Sequence, residues 1–143
     1  MDVSVKGEYA LRAVFDLACR DAPDPTKIAR IAERQKIPQK FLELILAQLK
    51  QAGYLNSKRG ADGGYLLGRP PDQITVGDIL RVIDGPVQLS RRPIENESAD
   101  SPFPEMWKRA ERSLSSVIDR TTFADLVERW KQNRAKRVVN WEI

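Results

Sequence analysis

Apolar side chains in the first fifty residues recur at intervals of three and four, the period of helices with one buried face. Over Val5 to Arg20, Val5, Tyr9, Ala13 and Leu17 fall near one side, with Ala10, Val14 and Ala18 beside them. Asp24-Pro25 reads as the start of a second helix, an acceptor for free amides followed by a residue with no N–H to satisfy. That helix runs to about Gln35 and turns Ile28, Ile31 and Ala32 inward. Lys36-Ile37 leaves a tight connection before Pro38 opens a third helix reaching Ala52. Two short helices joined by so few residues cross steeply, as in a helix-turn-helix.

The third helix has a well-defined inner face, because Ile45, Leu46 and Leu49 lie within about 60° of Leu42 at 100° per residue. Lys40, Glu43, Leu44, Ala47 and Gln51 lie opposite, with Gln39 and Lys50 nearer the flank. A solvated face accounts for the polar members. Leu44 and Ala47 fit solvent less well and suit apolar contact with thymine methyl groups. Gly53 is placed to end the helix in the left-handed conformation.

The period then shortens. Tyr54 to Lys58 and Tyr65 to Leu67 read as short strands around Gly60, Gly63 and Gly64, whose conformational freedom suits a tight hairpin tip. Arg69-Pro70-Pro71-Asp72 breaks the pattern, and Thr75…Asp78 is a capping box that opens a helix to Asp84, with Val76, Ile79, Leu80 and Ile83 inward. Pro86 to Pro104 has no periodicity and reads as a loop. Met106 to Arg120 carries a long apolar stripe of Trp107, Ala110, Leu114, Val117 and Ile118. Phe123, Leu126, Val127 and Trp130 continue at helical spacing, and the basic run Lys131 to Arg137 suits a solvated helix end or a contact with DNA. The expected organisation is a helix-turn-helix domain with its hairpin over 1–85, a loop over 86–103, long amphipathic helices over 104–132 and a tail over 133–143.

Composition removes most chemistry. The 143 residues include no histidine and one cysteine, so a Ser-His or Cys-His nucleophile pair and a thiolate-held metal site have no parts to be built from. No pair of carboxylates sits in a pocket-like context, so no enzyme, metal or cofactor is expected. Cys19 reads as a small buried or half-buried side chain, with a redox role as the alternative. No apolar run approaches the roughly 20 residues of a membrane span, and no basic-then-apolar leader opens the chain. A single cysteine fits a reducing cytoplasm. The net charge of +4 lies in residues 1–69, with twelve Lys/Arg against eight Asp/Glu; residues 70–143 hold twelve of each. This sign suits phosphate contact by the first half.

Several motifs together resemble the family of bacterial winged-helix transcription regulators that includes IscR, NsrR and CymR (Rrf-type). They are Lys6-Gly7-x-Tyr9-Ala10, the run Ile31-Ala32-Glu33-Arg34-Gln35-Lys36-Ile37-Pro38, and Phe41-Leu42-Glu43-x-Ile45-Leu46-x-x-Leu49-x-x-Ala52-Gly53. Arg59-Gly60-x-x-Gly63-Gly64-Tyr65-x-Leu67, Thr75-Val76-x-Asp78-Ile79 and Trp107 follow, so the resemblance covers most of residues 3–130. It implies a mainly α fold with a small β-hairpin wing, a winged helix-turn-helix plus a long dimerisation helix. It also implies a homodimer whose long helix crosses to its partner through Trp107, Ala110, Leu114, Val117 and Ile118.

The resemblance further implies a sequence-specific DNA-binding regulator, expected to be a repressor at a palindromic operator. Gln39, Lys40, Glu43 and Leu44 are the expected contacts to bases, with Thr26, Lys27 and Lys58 on phosphates. Arg59, Gly63, Gly64 and Tyr65 form the wing. Cluster-binding members of the family carry three cysteines before the long helix, and Val87 to Phe103 contains none. Cluster sensing is therefore not carried over, and no effector is identified. The alternative from another class is a winged-helix module that binds protein instead of DNA.

Overall fold

A buried carboxylate ties the first two helices together. The computed structural model describes residues 2–20, 23–89 and 97–142. Helix α1 spans Val5–Ala18 and α2 spans Ile28–Gln35. Asp16 on α1 is only 5% exposed, and its oxygens accept from Arg34 Nε at 2.9 Å, Arg34 Nη2 at 2.8 Å and Gln35 Nε2 at 3.1 Å. The paired guanidinium bonds match the fork of a carboxylate and fix direction as well as distance. The Asp16 hydrogen bond holds the Arg34 pKa above its ordinary value.

Helix α3 (Gln39–Gln51) follows the turn, then strands β1 (Leu55–Lys58) and β2 (Gly64–Leu67), a 3₁₀ turn at Pro71–Gln73, and α4 (Val76–Asp84). Two long helices, α5 (Phe103–Arg120) and α6 (Phe123–Glu142), complete the order. The mainly helical winged helix-turn-helix that the resemblance implies is present. Its core draws Ala10, Ala13, Val14 and Leu17 from α1, Ile31 from α2, and Leu42, Ile45, Leu46 and Leu49 from α3. Leu55, Ile74 and Ile79 close it from the wing and α4, and fully buried Phe123 plugs it from the start of α6. Val5, expected on the inner side of α1, is instead 68% exposed, since its helix begins there and the core lies further along.

Caps define the remaining ends. The predicted Thr75…Asp78 capping box is formed at α4, and Thr122 with Asp125 makes a similar reciprocal pair at α6. Val76 N–H donates to Thr121 O at 2.9 Å and Phe123 N–H to Ile74 O at 3.0 Å, so the α5–α6 corner is stitched to the start of α4. Arg81 grips Asp119 with bonds of 2.5 and 2.8 Å, and this contact lowers the Asp119 pKa. Gly77 lies beneath that pair: a Cβ there would stand 2.0 Å from Asp119 Oδ1.

Three boundaries differ from expectation. Helix α2 starts at Ile28 and not at Asp24-Pro25, because the Thr26 backbone is spent on a bridge to Tyr65 and Lys27 remains extended. Helix α5 begins at Phe103, three residues before the expected Met106, since Pro104 fits a first turn that has no partner for its N–H. The expected tail over 133–143 is helical to Glu142 as the continuation of α6. The loop expected over 86–103 is described at 86–89 and 97–102, and its remainder, 90–96, lies outside the described residues.

Replacing Asp16 with alanine leaves Arg34 and Gln35 without their shared acceptor. Because Arg34 remains 32% exposed, water recovers part of the loss, and destabilisation of about 1–3 kcal/mol is expected. Urea unfolding of Asp16→Ala against the parent chain measures it, and an unchanged midpoint contradicts this role.

Candidate nucleic-acid interface

The turn between α2 and α3 is built on one unusual residue. Lys36 adopts φ 55° and ψ 47°, the left-handed conformation, and Ile37 N–H reaches back to Ala32 O at 3.0 Å. Ile37 is then buried at 3% exposure, which pins α3 across the core. At the far end, Gly53 (φ 88°) closes a Schellman motif: Tyr54 N–H donates to Leu49 O and Gly53 N–H to Lys50 O, both at 3.0 Å.

With its inner face fully used, α3 turns a definite set of residues outward. Gln39, Lys40, Glu43, Leu44, Ala47, Lys50 and Gln51 are all exposed, Leu44 at 62%. Phe41, which the outer-face pattern did not single out, is 54% exposed, with its ring 6.3 Å from that of Tyr9. An aromatic exposed on one helix and resting against another is not visible in spacing alone. Lys27 at the N-cap of α2, Arg30, Lys36, Lys58 and Arg59 are exposed as well. None of these five, nor Lys40 or Lys50, takes part in the four ion pairs found among the described residues. Their charge remains available to a polyanion.

The wing is docked through its backbone. β1 and β2 pair antiparallel, with Leu55 opposite Leu67 and Lys58 opposite Gly64. Thr26 adds a third short strand: its N–H donates to Tyr65 O and its carbonyl accepts from Tyr65 N, both at 2.8 Å. Thr26 is thereby 9% exposed, and the Tyr65 ring is half-buried against the core. Both expected contact residues thus anchor the wing, and Thr26 has little surface to offer a phosphate. Gly64, at φ 153°, leaves no room for a side chain, as a Cβ would stand 2.3 Å from Thr26 O. Gly63 is closed in by Lys58 O at the same distance. At the base of the wing, Arg69 stacks over Tyr54 at 4.5 Å, and partial burial together with Asp78 raises the Tyr54 pKa.

The second surface is on α5, which buries none of its residues fully. Trp107 and Val117 are 44% and 64% exposed, Ala110, Leu114 and Ile118 are partly covered, and exposed Phe103 and Met106 extend the stripe.

Residues 3–129 match the Rrf2 family, described as an iron-dependent transcriptional regulator. The chain belongs to that family. It is 39% identical over 127 residues to the transcriptional regulator CymR of Bacillus subtilis, covering 88% of this chain and 89% of that protein. It is 33% identical over 130 residues to the regulator IscR of Sodalis glossinidius, covering 89% of this chain and 79% of that one. Among solved structures, CymR, the global cysteine regulator of B. subtilis, superposes with a TM-score of 0.81 at 37% identity, covering 90% of this chain and 97% of that one. IscR of T. potens gives 0.78 at 35% identity, covering 93% and 90%. This Rrf2 protein is accordingly a DNA-binding transcriptional regulator, and its relatives are regulators and not enzymes.

The iron in the family description asks for donors this Rrf2 chain does not assemble. It has no histidine, and its one thiol, Cys19, lies at the end of α1 beside Phe15 and Trp130. No group of three or more His, Cys, Asp or Glu side chains converges among the described residues. The donor set does not fit a thiolate-held cluster. Among those residues no helix is long and apolar enough to cross a membrane.

Gly64→Ala is the sharpest test of the wing. The added methyl meets backbone and not a flexible side chain, so the wing must leave Thr26. A loss of about 2 kcal/mol or more is expected, with amide exchange accelerating at Tyr65 and Thr26. Unaltered exchange there contradicts the docking described.

Proposed function

We propose that the protein acts in the cytoplasm as a homodimeric repressor of a palindromic operator, without an iron–sulfur cluster. The observation that carries this reading is the pairing of two unspent surfaces: a basic face on α3 and the wing, free of ion pairs among the described residues, and an uncovered apolar stripe on α5. Helix α3 enters the major groove with Gln39, Lys40, Glu43 and Leu44 toward base edges. Gln39 suits adenine, Glu43 accepts from a cytosine amino group, and Leu44 meets thymine methyls. Lys27 holds a phosphate at the N-terminus of α2, where no side chain caps the first amides. Lys58 and Arg59 follow the backbone or the adjacent minor groove from the wing. Such contacts set register while the base contacts specify sequence. Occupying the operator blocks transcription directly.

Binding-site selection on the full chain tests the reading and is expected to return an inverted repeat with half-sites spaced by whole turns of about 34 Å. Glu43→Ala should relax preference at one base pair by about 1–3 kcal/mol, whereas Lys58→Ala should weaken all sequences alike and reduce the salt slope by about 1. Random selected sequences, or affinity indifferent to salt, contradict it.

The homodimer has its own test. The α5 stripe holds large apolar side chains in water unless a second copy covers them. Sedimentation equilibrium should give twice 16.2 kDa for the parent chain and 16.2 kDa for Val117→Glu. Parent protein that remains monomeric at micromolar concentration overturns the dimer.

A further inference from the structure

Away from the DNA-reading face, α1, the end of α2 and α6 enclose an open cleft of about 410 Å³. Its size lies within the range of small-molecule sites. One wall is aromatic: Phe15 and Trp130 meet edge to face, 5.9 Å between centroids at 85°, and Trp130 is 38% exposed. The floor is the Asp16 carboxylate, whose oxygens are already held by Arg34 and Gln35. Two arginines, Arg34 and Arg20, stand against that one carboxylate, leaving a positive balance at the floor.

The groups with capacity left are donors. Arg20 makes a long ion pair with Asp16, at 3.9 Å, and its side chain is 45% exposed, so it can turn to a ligand at the cost of that pair. Lys131, next to Trp130, is exposed and close enough for its charge to act on Cys19. Burial and, after it, the Asp16 charge raise the Cys19 pKa against the lowering effect of Lys131 and Arg20, so the thiol stays neutral and acts as apolar wall.

We propose that this cleft binds a small carboxylate with a flat apolar body, the carboxylate on Arg20 and the body against Phe15 and Trp130. The site adjoins the reading head directly. Arg34 and Gln35 are the last two residues of α2, and the next residue is Lys36, whose left-handed conformation sets the angle of α3. An added anion beside Asp16 competes for the Arg34 guanidinium and loosens the clasp that orients α2. Occupancy thus lowers operator affinity. This regulatory consequence rests on the DNA-binding role, whereas occupancy of the cleft does not.

Phenylacetate is the probe, with phenylacetamide as its neutral counterpart, titrated into the ¹⁵N-labelled full chain. The expected result is saturable amide shifts confined to residues 15–20, 34–36 and 130–134 with the acid and none with the amide. Arg20→Ala should weaken binding at least tenfold. Trp130→Ala should abolish it, with a melting curve confirming that the variant is folded. Shifts that are absent at millimolar acid, equal for acid and amide, or unaffected by Arg20→Ala overturn the site. Operator affinity should fall roughly 5- to 100-fold on saturation and stay constant in Arg20→Ala. An affinity unchanged despite proven occupancy overturns the regulatory consequence. Binding of phenylacetate by a protein that binds no DNA overturns the reading head and upholds the cleft.

Discussion

The placement of α3 depends on the carboxylate of Asp16 and on the two side chains that hold it. A charge held at 5% exposure on α1 is costly unless it is paired and hydrogen-bonded. Arg34 and Gln35 supply three bonds from the final turn of α2 and so tie the end of that helix to α1. The chain then has two residues in which to turn. Lys36 takes the left-handed conformation, Ile37 drops into the core, and α3 emerges with its inner face against α1. An ionic clasp, a strained residue and an apolar plug act in sequence, each fixing the next.

The wing depends on a different constraint, the close approach of backbones. Gly63 and Gly64 are needed because Lys58 O and Thr26 O occupy the space where side chains would be. The glycines that invited a reading as a surface for DNA first serve the protein's own packing. What the wing presents outward is Lys58 and Arg59, held at a fixed height by the Thr26–Tyr65 bridge. Because that bridge also joins the wing to the start of α2, the basic residues of α2, α3 and the wing share one rigid frame.

The long helices divide their roles by what they bury. Phe123 completes the core from α6, whereas α5 contributes no fully buried residue and is held to α4 by Arg81 and Asp119. Core packing does not account for the exposed Trp107 and Val117, which are the residues a second copy would cover. Trp130 differs again: it closes over Phe15 and leaves an open cleft beside the clasp. One chain thus keeps its basic face, its apolar stripe and its cleft on different elements around a shared core.

Local pattern determined much of this by itself. The periodicity of Leu42, Ile45, Leu46 and Leu49 named the inner face of α3, and the Thr75–Asp78 box located α4, because both signals lie within a few residues. Likewise, the absent histidines and the single cysteine bounded the chemistry at once. Tertiary structure alone decided the rest. Asp24-Pro25 reads locally as a helix start, but Tyr65, far along the chain, claims the Thr26 backbone and delays α2 to Ile28. Thr26 and Tyr65 became anchors through that same long-range pairing. The partners of Asp16 lie eighteen and nineteen residues away, and Trp130 reaches Phe15 from the other end of the chain. Such contacts leave no periodic trace, since their energy comes from groups that meet only after the chain has folded.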